Sequence, residues 1–122
     1  MTDAINWFEI PVKDLERATR FYEAMLGKKL KREVFGNTPM ATFPTGAMED
    51  VGGSLVADPK RAPSSSGSLV YLDAPDLDDA LVRAKKAGGT IEMPKTDIGD
   101  PGHIAIVIDT EGNRIGLHAH RH

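Results

Sequence analysis

Three histidines, His118, His120 and His122, alternate at the end of the sequence. Side chains two residues apart in an extended chain point to the same side, so the three imidazoles share one face. Imidazole binds transition metals and carries protons near neutral pH. The last residues of a domain often fray, however, and this favours a frayed end over a metal site. His118 is the strongest candidate of the three because it lies within an apolar, strand-like segment.

The sequence excludes several familiar kinds of site. It contains no cysteine, which rules out disulfides, a thiolate nucleophile and a cysteine-based zinc site. The pairs Gly52-Gly53 and Gly88-Gly89 lack the spacing of a phosphate-binding loop or a dinucleotide fingerprint. The run Ser64-Ser65-Ser66 is not part of a nucleophile elbow. Nucleotide binding and serine-hydrolase chemistry are therefore not expected.

The 122 residues fit one domain, with 15 basic and 18 acidic side chains and a net charge of −3. This balance, without a basic run, argues against nucleic-acid binding and against a polybasic membrane patch. The first residues lack the pattern of a secretion signal, and no segment approaches the roughly 18 apolar residues of a membrane span. We therefore expect a soluble, cytoplasmic protein with neither a nucleic-acid nor a membrane partner.

An internal repeat organises the chain. Residues recur at an offset of 62, the difference between Asp14 and Asp76. The same offset pairs Ala18 with Ala80, Gly27 with Gly89, Leu55 with Leu117, and Ala57 with Ala119. A constant offset over this length predicts two copies of one unit. The copies span residues 5–57 and 67–119, and a Pro- and Ser-rich linker, residues 58–66, joins them.

Each copy has the same predicted order of elements. In the first, a strand with alternating apolar residues precedes a helix that begins after Asp14 as N-cap and stops at Gly27. In the second, Asp76 is the N-cap and Gly88-Gly89 ends the helix. Three strands follow each helix, at about 29–35, 40–43 and 53–57, then 90–93, 103–108 and 115–119, with residues 36–39 as a turn. Each copy thus reads βαβββ, which predicts an α+β fold.

The chain resembles the vicinal oxygen chelate superfamily, which includes glyoxalase I, extradiol dioxygenases, and fosfomycin- and bleomycin-resistance proteins. The resemblance covers essentially the whole chain and rests on two motifs, Phe8-Glu9-Ile10-Pro11-Val12-Lys13-Asp14-Leu15-Glu16-Arg17-Ala18 and Asp109-Thr110-Glu111-Gly112-Asn113-Arg114-Ile115. It implies two βαβββ modules forming a curled mixed sheet around a cavity. A fold of this kind hosts many chemistries, so it does not identify the reaction.

In metal-dependent members, four positions carry His, Gln or Glu, one on the first and one on the last strand of each module. The resemblance places these positions at Trp7 and Ser54 in the first module and at Leu69 and Gly116 in the second. None of the four is a usual metal ligand. We therefore expect no metal at the family's usual site and no cofactor.

The same four positions imply which other residues line the cavity. Residues two apart on a strand share a face, which adds Glu9, Tyr71, Asp73 and His118 to Trp7, Ser54 and Leu69. Phe43 and His103, on the middle strands, are weaker candidates. Each residue has a plainer interpretation as well: Trp7 fills vacated space, Glu9 is a surface carboxylate, Tyr71 packs in the core, and His103 lies in a turn.

These residues favour binding of a small organic molecule with an apolar or aromatic body and a cationic or hydrogen-bonding group. The resemblance leaves a second hypothesis open, an enzyme similar to a lactoylglutathione lyase. In it, Glu9 or His118 is the catalytic acid or base, singly or as a pair, or a divalent metal binds at an unconventional site. A third is an interaction module whose cavity is only core. The family resemblance also implies a homodimer, with modules that pair within or across chains.

Overall fold

The computed structural model describes residues 4–47 and 49–121. It contains two modules with the element order βαβββ. The first comprises β1 (Trp7–Pro11), α1 (Leu15–Leu26), β2 (Lys31–Phe35), β3 (Thr38–Thr42) and β4 (Gly52–Val56). The second comprises β5 (Tyr71–Asp73), α2 (Leu77–Lys86), β6 (Thr90–Asp97), β7 (His103–Ile108) and β8 (Arg114–Ala119). The predicted α+β fold and its repeat are confirmed; His122 lies outside the described residues.

Each module forms its own four-stranded mixed sheet. The strand order is β1-β4-β3-β2 in the first and β5-β8-β7-β6 in the second. In both, the first strand pairs in parallel with the last, and the remaining pairs are antiparallel. The first strand of each module is therefore an edge strand, with one side of its backbone unpaired by the sheet.

The helices begin and end where the sequence predicts, for identifiable reasons. The Asp14 carboxylate accepts a hydrogen bond from Arg17 N at 3.0 Å, and Asp76 caps α2 through Asp79 N at 3.1 Å. Gly27 ends α1 in the left-handed conformation at φ 67°, which costs glycine little. None of the described helices is long and apolar enough to cross a membrane.

The core lies between the sheets and the helices. Helix α1 packs on β3 and β4, helix α2 packs on β6, β7 and β8, and the two helices pack on each other. Their apolar faces are buried, with Ala18, Tyr22 and Met25 fully so in α1. Within the described residues, no strand of one sheet pairs with a strand of the other sheet. Each sheet consequently has an inner face against its helix and an outer face without one.

Two strand boundaries differ from the prediction. The turn after β2 occupies only Gly36 and Asn37, so Thr38 and Pro39 belong to β3 rather than to the turn. Strand β6 continues to Asp97 instead of ending near residue 93. Its register against β7 shifts between Ile91 and Met93 and again before Thr96, and these irregularities accommodate Pro94 in the strand.

The turn between β7 and β8 joins the second module to the first. Glu111 accepts hydrogen bonds from Lys13 N and Asp14 N, both at 2.8 Å. It also forms an ion pair with Arg17 at 2.6 Å. Asp109 accepts the hydroxyl of Tyr22 at 2.6 Å. Asn113 donates to Pro11 O at 2.7 Å. The closing motif of the sequence thus fixes the start of β8 against the end of β1.

Candidate functional site

The outer face of the first sheet carries an aromatic ring lying against a glycine. Trp7 pairs with Gly52 across the parallel strands β1 and β4, and its ring lies on the glycine. A Cβ at position 52 would stand only 3.0 Å from Trp7 Cζ3. The residue nevertheless keeps 47% of its surface exposed. One side of the indole is therefore supported by backbone while the rest remains open to a ligand.

A chain of polar contacts holds the edge of this indole. Trp7 Nε1 donates to Glu9 Oε2 at 3.3 Å, and the other oxygen of Glu9 accepts from Arg61 Nη1 at 2.5 Å. Arg61 also pairs with Asp58 at 3.4 Å. The Arg61 hydrogen bond, together with the indole N–H, holds the pKa of Glu9 below its ordinary range. Glu9 is thus ionised at neutral pH and is a weak proton acceptor there.

Ser54 lies next to Glu9 on the outer face of β4, opposite it in register. The residue is completely buried, and its hydroxyl has no hydrogen-bond partner among the described residues. A buried hydroxyl without a partner has a free-energy cost, and a donor or acceptor brought by a ligand would remove it.

The outer face of the second sheet has a similar aromatic residue. Tyr71 pairs with Gly116 across β5 and β8, and a Cβ at position 116 would overlap the Tyr71 ring. Tyr71 is 44% exposed. Asp73 and His118 are the next pair along these strands and share the outer face. Leu69 is half-buried and precedes β5 by two residues.

His118 already has partners. Its Nε2 lies 2.7 Å from the carbonyl of Pro101, and its ring meets that of His120 edge to face at 4.5 Å. A carbonyl cannot donate, so Nε2 carries the proton and Nδ1 is the acceptor nitrogen of the neutral ring. Glu9 and His118 therefore have separate partners, and the structure does not bring them together as the hypothetical acid/base pair.

The residues at the four positions where the resemblance implied metal ligands do not fit a divalent ion. Trp7, Leu69 and Gly116 offer no side-chain ligand atom, and Ser54 offers one hydroxyl. The Tyr71 ring also fills the space that a larger side chain at position 116 would need. Elsewhere in residues 4–47 and 49–121, no three His, Asp or Glu side chains are grouped so as to hold an ion.

The two weaker candidates, Phe43 and His103, lie on the helix side of their sheets. Phe43 is buried in the core, where its ring packs against Phe8 and Tyr22 at centroid distances of 5.6 and 5.8 Å. His103 pairs with the buried Ala119 and approaches Asp97 at 3.8 Å. The prediction that these two line the cavity with Trp7 and Tyr71 is wrong, because strand alternation turns both towards the helix side.

Sequence reasoning missed Arg61 because it lies in the linker, and no pattern there indicates a contact with β1. It also missed the role of Gly52. A glycine opposite an aromatic residue in a neighbouring strand is a usable signal, but only once the register is known. A groove of about 220 Å³ lies between the modules, and Glu9, Val70 and Arg114 are among its lining residues.

The comparisons with known proteins agree with this architecture. Residues 4–117 match the model of the Glyoxalase/Bleomycin resistance protein/Dioxygenase superfamily. A Mycobacterium bovis protein named as a glyoxylase, CFP32, is 28% identical over 96% of this chain, which spans only 46% of that protein's length.

Two solved structures show the same fold. TnmS3, described as an antibiotic binding protein from Streptomyces sp. CB03234, has a TM-score of 0.71 and 29% identity, with 98% of each chain covered. A glyoxalase/bleomycin resistance protein from Albidiferax ferrireducens T118 has a TM-score of 0.73 and 19% identity, with 98% of this chain and 100% of that chain covered. On the strength of the family match over nearly its whole length, the chain belongs to the Glyoxalase/Bleomycin resistance protein/Dioxygenase superfamily.

Proposed function

We propose that this protein binds a small organic molecule without a metal ion, and that the ligand contacts the outer faces of both sheets. The observation that carries this proposal is the pair of exposed aromatic rings, Trp7 and Tyr71, each supported by a glycine of the neighbouring strand. A ring fixed on one side and open on the other loses little conformational freedom when a ligand stacks on it.

The polar groups of these faces suit a ligand with a few hydrogen-bonding atoms. On the first face the buried Ser54 hydroxyl has no hydrogen-bond partner among the residues that the structure describes, and Asp73 and His118 lie on the second face. Polar groups in such positions fix the orientation of a ligand while the aromatic rings supply contact area. The name of TnmS3 supports the same kind of function, since that relative is described as binding an antibiotic.

The proposal includes a homodimer. Within the described part of the chain, the two sheets do not pair with each other, and only a small groove lies between β1 and the start of β8, so most of each outer face gives the ligand a single wall. A second copy that places its second module over the first module of its partner would enclose the ligand from both sides. Exposed apolar residues on the first outer face, Trp7 and Phe35, fit such a covered surface.

Ligand screening by thermal shift, followed by calorimetry, tests the proposal. Trp7→Ala and Tyr71→Ala should each weaken the binding of a screened aromatic ligand at least tenfold, because each removes a stacking surface. Val82→Ala is the matched control, since Val82 is 53% exposed on α2, away from both outer faces. Unchanged affinity in both aromatic variants would contradict the proposed site.

A second candidate is a lyase or isomerase of the glyoxalase type. The observation that favours it is the acceptor nitrogen of His118, held in one tautomer by Pro101. Turnover of a hemithioacetal by the wild type, lost in His118→Gln and kept in His103→Gln, would support the enzyme. A wild type that binds a ligand tightly but leaves the hemithioacetal unchanged would eliminate it.

A further inference from the structure

The linker supplies a charged side chain to the first outer face. Asp58 accepts a hydrogen bond from Lys60 N at 2.9 Å, and its carbonyl accepts from Arg61 N at 2.9 Å. These two bonds close a turn at the start of the linker, immediately after β4. The turn brings the Arg61 guanidinium to Glu9, more than fifty residues away in sequence.

Glu9 has both oxygens engaged by donors of the face itself. Oε1 accepts from Arg61 and Oε2 accepts from the indole of Trp7. The carboxylate therefore neutralises Arg61 and orients the indole, and it is not free to pair with a cation on a ligand. The other charged groups near Glu9 are Asp58 in the linker and Arg114 in the groove, which is itself paired with Glu92.

We propose that Arg61 is a positioning residue of the first outer face: by holding Glu9 it fixes the indole of Trp7 on Gly52 and sets the selectivity of the site towards uncharged aromatic ligands. This inference rests on the proposed function and names the ligand class of the same site. It changes the expectation that Glu9 recognises a cation, because the cation partner of Glu9 is already present in the chain.

The consequence of losing Arg61 is specific. Without the guanidinium, Glu9 stays beside an exposed indole with its charge uncompensated, which is the arrangement that attracts an aromatic cation. Arg61→Gln should therefore shift selectivity towards cations by about three- to fivefold, the size expected for partly exposed charges. Arg61→Lys keeps the positive charge but loses the forked geometry of the guanidinium. It should therefore restore more of the ligand selectivity than of the indole's position.

Trp7 is the single tryptophan of the sequence, so its emission reports on this face without labelling. In Arg61→Gln, the emission maximum and the accessibility of the indole to acrylamide should change. The acid transition of the emission should also move to higher pH, because Arg61 no longer favours the ionised form of Glu9. Arg32→Gln is the matched control: it also removes a surface ion pair with a glutamate, Glu16, but at the far edge of the sheet.

The binding experiment uses one planar ring system in two charge states, acridine and N-methylacridinium, at mildly alkaline pH. The proposal expects a relative gain for the cation in Arg61→Gln and none in Arg32→Gln. If Arg61→Gln matches Arg32→Gln in emission and in selectivity while Trp7→Ala still abolishes binding, Arg61 does not position the face, yet the site stands. If neither probe binds the wild type but the tryptophan emission of Arg61→Gln changes as expected, Arg61 does position the indole. In that case the proposed ligand class is wrong, and so is the proposed binding of acridine-type rings.

Discussion

Two glycines on the outer faces matter because they have no side chain. Gly52 and Gly116 lie under Trp7 and Tyr71, so the absence of a side chain lets each ring lie on the sheet. Gly116 is also one of the four positions at which the family resemblance implies a metal ligand. Gly116 therefore offers no side-chain ligand atom at this position and leaves room for the Tyr71 ring.

Gly116→Ala tests this role of the glycine. The added Cβ would overlap the Tyr71 ring, which must then turn away from the strand. We expect a loss of stability of about 1 to 3 kcal/mol and at least tenfold weaker binding of an aromatic ligand, measured by urea denaturation and calorimetry. Gly46→Ala is the control, because its Cβ would meet only the flexible Asp50 carboxylate at 3.3 Å. Equal binding by the two variants would show that the Tyr71 ring is not a stacking surface.

Glu111 gives the fold a pH dependence of known sign. Burial raises the pKa of this carboxyl, but hydrogen bonds from Arg17, Asp14 N, Lys13 N and Thr110 outweigh it and lower the pKa from 4.5 to about 2. A carboxyl with a depressed pKa stabilises the fold above its unfolded-state pKa and loses that contribution as the pH falls towards the folded-state value. The window here is therefore about pH 4.5 down to pH 2, and the contribution is at most about 3 kcal/mol.

Glu111→Gln should remove this contribution at neutral pH. The difference in unfolding free energy between wild type and variant should shrink as the pH drops from about 5 to about 2, measured by chemical denaturation at several pH values. Glu92→Gln breaks a half-exposed ion pair with Arg114 and should change stability by less than about 1 kcal/mol. A wild-type-to-variant difference that stays constant with pH would contradict the role given to the Glu111 carboxylate.

At the scale of elements, the β7–β8 turn and helix α1 form one unit although they belong to different modules. Tyr22, fully buried in α1, donates to Asp109 of the turn, and Asp109 also accepts from Glu111 N and Asn113 N at 2.8 Å. Burial and the neighbouring Asp109 charge raise the pKa of Tyr22 well above its ordinary value, so the hydroxyl stays a donor. Strand β8, which carries Gly116 and His118, follows this turn directly.

Tyr22→Phe removes the donor and leaves a buried carboxylate oxygen with fewer partners. We expect a loss of about 1 to 3 kcal/mol in unfolding free energy, because a buried charged acceptor loses a hydrogen bond. Tyr71→Phe is a close control, since it deletes the same hydroxyl from a residue that is 44% exposed, and it should cost less than about 0.5 kcal/mol. Similar losses in both variants would mean that the Tyr22–Asp109 contact does not join the modules.

The elements could be predicted from the sequence because the 62-residue offset repeats local signals: two aspartate N-caps, two glycine helix ends and two sets of alternating strands. The contacts between modules could not be predicted, since Glu111 and Arg17 are far apart in sequence and neither belongs to a periodic pattern. The error on Phe43 and His103 has a traceable cause. The 62-residue offset makes His103 equivalent to Ala41. Ala41 pairs with Leu55, which lies in the core, so strand alternation already indicates that Ala41, Phe43 and His103 face the helices.

The candidate site was predictable only in part, for the same reason. Strand alternation predicts that Trp7, Glu9, Tyr71 and His118 lie on the faces of their strands that point away from the helices, and the structure places them on those outer faces. What each side chain does there depends on neighbours that alternation does not reveal, such as Arg61 from the linker and the carbonyl of Pro101. The module limits 5–57 and 67–119 and the cytoplasmic location stay predictions.

For the whole molecule, the two sheets are separate, so the proposed ligand would have to contact two different faces. The helices pack on each other, and each sheet directs its outer face away from its own helix. A small domain gains stability by burying apolar surface, yet Phe35 on the first outer face is 81% exposed. Pairing of two copies would cover this surface and would give the ligand a second wall in one step.

Phe35→Glu is the variant that decides this arrangement. Phe35 lies opposite Thr38 on the same face as Trp7, so a charge there should oppose burial by a second copy and weaken self-association at least tenfold. Sedimentation over a range of protein concentrations measures the association, and Val82→Glu on α2 controls for the added charge. If the homodimer exists, shielding of Trp7 from acrylamide should rise with concentration in the wild type and in Val82→Glu, but not in Phe35→Glu. A wild type that stays monomeric at every concentration and still binds its ligand would show that one open face suffices, and the two-walled site would have to be abandoned.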